Sequence, residues 1–553
     1  MREPFALIGS ETEYGILIST DDGRLHDEGL DHCIKDRVIR EMLDEGISIT
    51  GGGLCRDTET FASLAEHSNA EKYMRDHGAD NVTKDSMDDW KRFSQRRGYS
   101  GSLLVNGARF YEDMLHPEYS CPECNDPYSA LCAQKAGDWV VQHAALRAER
   151  FASALMHSAA TIMVAKNNSD GLEHSYAGHE NYLVSRALFP RLCEITPESD
   201  ATILFFVTRQ IITGAGKIGS ECRADVPFQI SQRPDFFGLR FSFGTTGRRG
   251  IINLRDVPYA NPTQWARFHV IVGDSNRSDL SLFLKFGMTA LFFMMLETGF
   301  LEKHFPWYGA ALQRPVYSLR NVSCDLTLKN TLLFDDGRSV TALEVMRDFA
   351  ECAEKFISTH SFPAVWQRVV TLWKGVLEGL CGDRHKHPLS RSLDWVAVEH
   401  VLQNRMKKTG DRFDSDGCCG LELSYRTLDD DSVYARLVKH DQIMTIAEEH
   451  DVQHLITGTP HGTRAWFRSE IIKRYGNSVV HLKWDTIHFS GGTTVVLHDP
   501  LWGDNAAARS LFLGDPSLEE FLGRARQHTP THMEIYEPEK GEYYEGSRYR
   551  YRE

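Results

Sequence analysis

Apolar and polar residues alternate with strand and helix periods along different parts of this chain. FALIGSETEYGILI (5–18) alternates poorly at first and then reads as a strand. Residues 101–119 predict a second strand. Within NGARFYEDMLHPEYS, Arg109, Tyr111 and Asp113 fall at every second position. Successive strand side chains point to opposite faces, so these three share one face over about 13 Å. Three aligned polar groups suit the wall of a cavity better than a core. A turn at His116 and Pro117 would bring Glu118 back toward them. Between the two strands, residues 20–100 form a long polar segment with helical patches and several glycines. That is the composition of a mobile or partly ordered insertion.

Residues 126–157 predict one or two amphipathic helices opened by Asp126 and Pro127. ATIMVAKNNSD (160–170) predicts a strand that turns polar, and HENYLVSRALFPRLCEI (179–195) a helix with an apolar face. ATILFFVTRQIITGAG (201–216) is a long apolar run that breaks at glycines. RRGIINLRD (248–256) and ARFHVIVGDSN (266–276) predict strands with polar ends, and residues 280–297 a buried helix. Residues 340–445 read as mainly helical. TRAWFRSEIIKRY (463–475) predicts a helix, VVHLKWDTIHF and TTVVLHDPLWG hairpin strands, and the last 30 residues a loose polar tail. The pattern predicts an α+β protein whose sheet floors a cavity, with parallel α/β as the alternative. The expected division is a catalytic unit at 1–462 and a smaller one at 463–553.

Composition narrows the class. Of 553 residues, 41% are hydrophobic and 25% charged, as in globular proteins. The net charge of −15 repels nucleic acid and anionic membranes at long range. No run of about 20 apolar residues stands out; MTALFFMMLETGF (288–300) is too short and holds Glu297. The first residues turn acidic at once, unlike a signal peptide. Twelve cysteines lack framework spacing, which favours a reducing cytoplasm. Cys121 and Cys124 have ligand-like spacing but no second pair, so they read as ordinary thiols.

Glu11 and Glu13 are two apart in SETEYG and face one way on a strand. With Asp113 and Glu118 they place four carboxylates on two strand-like elements. Sharing a pocket, they would raise each other's pKa, a conflict that a hard cation resolves. Mg²⁺ takes oxygen ligands and is often held by one or two carboxylates plus substrate phosphates; Glu11, Tyr111 and Glu118 can supply such oxygens. The alternative is a strand pair whose polar faces meet only solvent. Arg109, Arg233, Arg255 and Arg464 match phosphate or carboxylate in bidentate fashion, with an ordinary salt bridge as the alternative for each. HEN (179–181) adds imidazole and amide groups. TGAGKIG (213–219) lacks the P-loop pattern and reads as a cavity rim. Trp484 either stacks on a base or sits in a core.

The segments GSETEYG, NGARFYEDMLHPEYS, KNNSDGLEHSYAGHENYL, TGAGKIG, FQISQRPD, RGIINLRD, FHVIVGDSN, TRAWFRSE and WDTIHF run in consistent order from residue 9 to about 488. Together they resemble the family of Pup ligases and Pup deamidase/depupylases, carboxylate–amine ligases related to glutamine synthetase. The resemblance implies a glutamine synthetase-like curved antiparallel sheet with helices and a small C-terminal domain. It implies ATP and Mg²⁺ as cofactors. Glu11, Tyr111 and Glu118 would bind metal with Glu13 beside them, Arg109 and Trp484 would contact nucleotide, and Asp113 would be the catalytic carboxylate. Cys121 stands where the ligase pattern has a threonine. The implied partners are a small ubiquitin-like (Pup-like) modifier and its lysine conjugates, with a functional link to the proteasome.

Asp113 and Glu118 are five residues apart, one fewer than in the ligase pattern. That spacing, the long segment before NGAR, and FQISQR, TRAWFR and WDTIHF lean toward the hydrolase. TGAGK and GDSN resemble the ligase, and Val257 and Tyr259 depart from both. The expected activity is therefore deamidation and isopeptide cleavage, with an ATP-consuming ligase as the alternative.

Overall fold

The computed structural model describes residues 5–21, 25–26, 32–52, 101–169, 174–176, 178–528 and 532–537. Six antiparallel strands build the central sheet: β1 (Ile8–Glu13), β2 (Gly101–Leu103), β3 (Arg109–Asp113), β4 (His116–Ser120), β5 (Gly178–Ser185) and β6 (Trp265–Val270). Their spatial order is β6-β5-β1-β4-β3-β2. One face of this sheet is closed by helices. Helices α1 (His32–Ile49) and α2 (Pro127–Met156) pack on each other. α2 is one continuous helix. Its N-cap Asp126 accepts from the N–H groups of Tyr128 and Ser129 at 2.8 and 2.9 Å, and Pro127 occupies the first turn.

Small residues let α2 approach the sheet closely. A Cβ on Gly137 would lie 2.5 Å from the Tyr119 ring, so any side chain there would push helix and strand apart. Polar groups at this interface are paired. Ser10 and Thr12 of β1 donate to Gln134 Oε1 at 3.0 and 3.1 Å. Helices α3 (Pro197–Thr213) and α4 (Asp279–Glu297) extend the same core. α4 is the buried helix expected over 280–297; by length and composition it is apolar enough to cross a membrane, although the run at 288–300 read as too short to do so. It is wholly enclosed by protein.

The expected single curved antiparallel sheet is not what forms. Among the described residues the strands divide into six separate sheets, and Phe237–Ser242 pairs with Arg249–Asn253 in parallel. The split begins at Tyr14, whose N–H donates to Pro117 O at 3.0 Å and whose phenol is drawn down to Asp138 at 2.8 Å. Beyond it, Gly15–Thr20 leaves the central sheet and pairs with Ala160–Ala165. The α+β class stands; the curved sheet does not.

Other elements differ from the sequence reading more locally. Residues 101–120 form three strands, and HENYLVS belongs to β5 rather than to a helix. Residues 32–49 are a packed helix with Val38, Ile39, Met42 and Leu43 buried; residues 53–100 and 538–553 lie outside the described part. A second hydrophobic cluster gathers around helix α5 (Arg464–Tyr475) and the four-stranded sheet of Val479–Leu482, Thr486–Phe489, Thr494–Leu497 and Met533–Tyr536. Leu103 and Val105, from the edge of the central sheet, insert into it.

Candidate active site

Met114 and Leu115 have φ of 45° and 67°. They form a two-residue hairpin connection, because Asp113 pairs directly with His116. The turn thus precedes the expected position, and His116 and Pro117 already belong to β4. Register then sets the site. Tyr111 faces Glu118, Glu118 faces Glu13, Glu11 faces both Ser120 and His179, and His269 faces Asn181. Cross-strand partners share a face, and residues two apart repeat it. All these groups therefore project from the face opposite α2. Phe110, Tyr119, Tyr182 and Phe268 occupy the other face and are buried.

The polar face carries two clusters. Glu13, Asp113 and Glu118 each bring one oxygen within 4.8 Å of the others, and Glu11, His179 and His269 form a second group of the same size. Glu118 is only 2% exposed. Burial, then the charges of Asp113, Glu13 and Glu11, push its pKa well above the ordinary range. The Tyr111 phenol donates to Glu118 Oε1. Burial and the nearby carboxylates push that phenol up as well, so it remains a donor.

Glu11 behaves in the opposite way. Burial raises it, but the hydrogen bond from His179, the nearby His269 imidazole and the charge of Arg267 hold it well below the usual range. His179 Nδ1 lies 3.2 Å away, Asn181 Nδ2 donates at 2.8 Å, and Arg267 stands at 3.5 Å. Burial pushes His269 down to about 3, so its imidazole is neutral. Asp113 meets solvent at the hairpin tip. Protein packed around its other sides raises its pKa. His179, Arg255 and Arg109 act against that rise, and Glu11 adds to it.

Beside the carboxylates lies a cleft that opens to solvent. Glu11, Cys121, Tyr259, Arg267, Arg464 and Trp484 are among the residues that line it. Its far wall comes from the C-terminal cluster, through Trp484 and Arg464.

A model of the family described as Pup-ligase protein matches residues 6–488. The chain belongs to this family. It is 35% identical over 428 residues to a depupylase of Acidothermus cellulolyticus, covering 76% of this chain and 81% of that one. It is 34% identical over 433 residues to a Pup deamidase/depupylase of Mycobacterium tuberculosis, covering 77% and 83%. Among solved structures, the Pup ligase PafA in complex with ADP superposes with a TM-score of 0.67 at 27% identity, covering 78% of this chain and 93% of its own. This chain is an enzyme of the Pup ligase/depupylase family.

The fold of this family member distributes the expected residues unevenly. Glu13, Asp113 and Glu118 come together, with Tyr111 bonded to Glu118. Glu11 stands in the neighbouring histidine cluster. The Arg109 guanidinium lies 4.2 Å from the Tyr111 ring centre. Arg255 reaches Asp113 through charge. Arg233 is buried and donates to Ser175 Oγ (2.7 Å), Tyr176 O (3.3 Å) and Ile271 O (2.8 Å). Burial and Arg249 lower its pKa to about 9. Arg464 is in the cleft wall but donates to Glu123 and Leu497 O. Cys121 is a buried thiol, and burial pushes its pKa up to about 12.

Sequence reasoning missed Arg267 and His269. The signal was an R-x-H alternation inside an otherwise apolar strand.

Proposed function

We propose that this chain is a hydrolase that deamidates the C-terminal Gln of a Pup-like modifier and cleaves the isopeptide bond joining that modifier to substrate lysines. The observation that carries the reading is the two-residue turn at Met114 and Leu115. It leaves Asp113 partly exposed at the hairpin tip, with its carboxylate beside Glu13 and Glu118. The 34–35% identity to proteins named as depupylases supports the same direction.

The residues fit Mg²⁺ and ATP. Glu13 and Glu118 oppose each other with Tyr111 bonded alongside, an oxygen-rich set whose mutual repulsion a cation reverses. Glu11 is the ionised carboxylate between that set and the cleft. Trp484 offers a stacking face, and Arg109 and Arg255 would supply positive charge around phosphate; Arg233 and Arg464 are held by protein oxygens and would act on phosphate only through the field. When bound, the metal and nucleotide supply electrostatic polarisation of the reacting carbonyl.

Asp113 performs the proton work or the attack. As a base it takes a proton from water, whose oxygen adds to the amide carbonyl. The C–N bond breaks, the nitrogen leaves protonated as ammonia or the lysine amine, and a carboxylate remains. As a nucleophile it adds to the carbonyl, the C–N bond breaks as the nitrogen takes a proton from water and leaves as ammonia or the lysine amine, and the resulting anhydride is opened by hydroxide or water to two carboxylates. Its raised pKa favours either role.

The partners are the modifier and its conjugates, with a link to the proteasome, and the compartment is the cytoplasm. We assign residues 1–462 to the catalytic unit and 463–553 to the smaller one.

The ligase reading is supported by 32% identity over 420 residues to a Pup–protein ligase of Paenarthrobacter aurescens and by the likeness to PafA bound to ADP. The deciding experiment incubates the protein with MgATP and either a Gln-ended Pup or a Pup–lysine conjugate. Release of ammonia and free lysine substrate without stoichiometric ADP is the expected outcome. ADP formation that depends on Pup and a lysine acceptor, with no release, would reverse the assignment.

A further inference from the structure

Glu123 follows β4, and two arginines of α5 close on it. Arg464 Nε donates to Oε1 at 3.0 Å and Arg468 Nη1 to the same oxygen at 2.8 Å, while Arg468 Nη2 reaches Oε2. The arginines are 2% and 0% exposed. Burial pushes the Glu123 carboxyl up, but the paired cations outweigh it and hold it at about 2.

Arg468 makes further contacts that ion pairing does not require. Nη1 also donates to Trp484 O at 2.9 Å, and Nη2 donates to Gly107 O at 3.1 Å. Its guanidinium carbon lies 5.0 Å from the Trp484 ring centre. Gly107 precedes β3 by two residues, and Trp484 lines the cleft that also holds Glu11. One planar fork therefore ties the entry of the catalytic strand to the indole on the opposite wall. An ammonium cannot make this set of directed bonds.

We infer that Arg468, oriented by Glu123, is a positioning residue for nucleotide: it sets the plane and depth of Trp484 so that the indole stacks on a purine base in the cleft. The inference rests on the nucleotide reading of the cleft given above. It assigns Glu123 and Arg468 a role in ligand affinity beyond docking the C-terminal cluster.

A double-mutant cycle on the full chain tests it, with MgATP affinity read by titration calorimetry. The proteins are wild type, W484A, R468K and the double variant. W484A is expected to weaken MgATP about tenfold or more, the scale of one base-stacking contact. R468K is expected to weaken it about tenfold alone and less than about twofold further in the W484A background. Additive losses mean that Arg468 acts on stability without acting through Trp484, and overturn the inference. An unchanged R468K affinity overturns it too. An unchanged W484A affinity overturns the nucleotide reading, and this inference falls with it. Thermal denaturation of each variant verifies folding. If R468K does not fold, Glu123→Asp takes its place in the same cycle, since it withdraws the carboxylate by one methylene.

Discussion

Glu13 and Glu118 are direct cross-strand partners, and Asp113 brings a third carboxylate oxygen within 4.8 Å of theirs. Like charges directly opposite each other destabilise a sheet, and burial makes Glu118 harder still to ionise. A divalent cation bound there stabilises the native state by mass action, about 2.7 kcal/mol at a hundredfold excess over its Kd. Mg²⁺ is therefore expected to raise the Tm, and a chelator to reverse the rise. Glu118→Gln should raise the Tm of the metal-free protein and remove the Mg²⁺ increment. A full increment in that variant would place the cation elsewhere.

Asp113 lies at a hairpin tip beside other carboxylates, and burial together with Glu11 outweighs His179, Arg255 and Arg109, so its charge is a net cost to the fold. Asp113→Asn should lower the rate of modifier release from a lysine conjugate by about 10²–10⁴, the range for a positioned acid–base group. The Tm should stay level or rise slightly. Release assays and thermal denaturation on one preparation separate the two effects. Cleavage at the wild-type rate would remove Asp113 from the chemistry.

Strand alternation made Arg109, Tyr111 and Asp113 legible because Phe110, between them, is fully buried and fixes which way the strand faces. It could not place the turn. Pro117 looks like a turn residue, yet register puts the left-handed pair on Met114 and Leu115, neither of which has an intrinsic preference for it. β5 was unreadable for a different reason. Tyr182, Leu183 and Val184 are all buried, so alternation vanishes and the run looks helical. That also hid how closely His179 approaches Glu11. The break between Ile8–Glu13 and Gly15–Thr20 coincides with Tyr14 meeting Asp138, 124 residues away, which no local pattern encodes.

The turn itself makes a stability prediction. Met114 has φ of 45° and is 57% exposed, so it bears the left-handed cost with little packing in return. That cost is about 1–2 kcal/mol for an ordinary L-residue, and asparagine tolerates the conformation better. Met114→Asn should stabilise the protein by about 0.5–1 kcal/mol, and Met114→Val should destabilise it. Denaturant midpoints of the three proteins check the order; a more stable Val variant would contradict the turn geometry.

Glu123 makes the pH prediction. Its folded pKa, about 2, lies below the ordinary carboxylate range because Arg468 and Arg464 overcome the burial penalty. A depressed folded pKa contributes stability that is fully present above the unfolded pKa, about 4.3, and lost as pH falls through the folded value. The difference between the two pKa values corresponds to about 3 kcal/mol. Glu123→Gln also leaves two buried guanidiniums without their shared counter-charge, so it should be strongly destabilised at pH 7. Below about pH 4.3 the unfolded wild type takes up a proton that the folded protein binds only near pH 2, so the advantage drains away over that interval. The Tm gap between the two proteins should therefore be widest near neutrality and narrow steadily as pH falls from about 4.3 toward 2. A gap that stays constant over that interval would show that the Glu123 carboxylate contributes no charge-dependent stability.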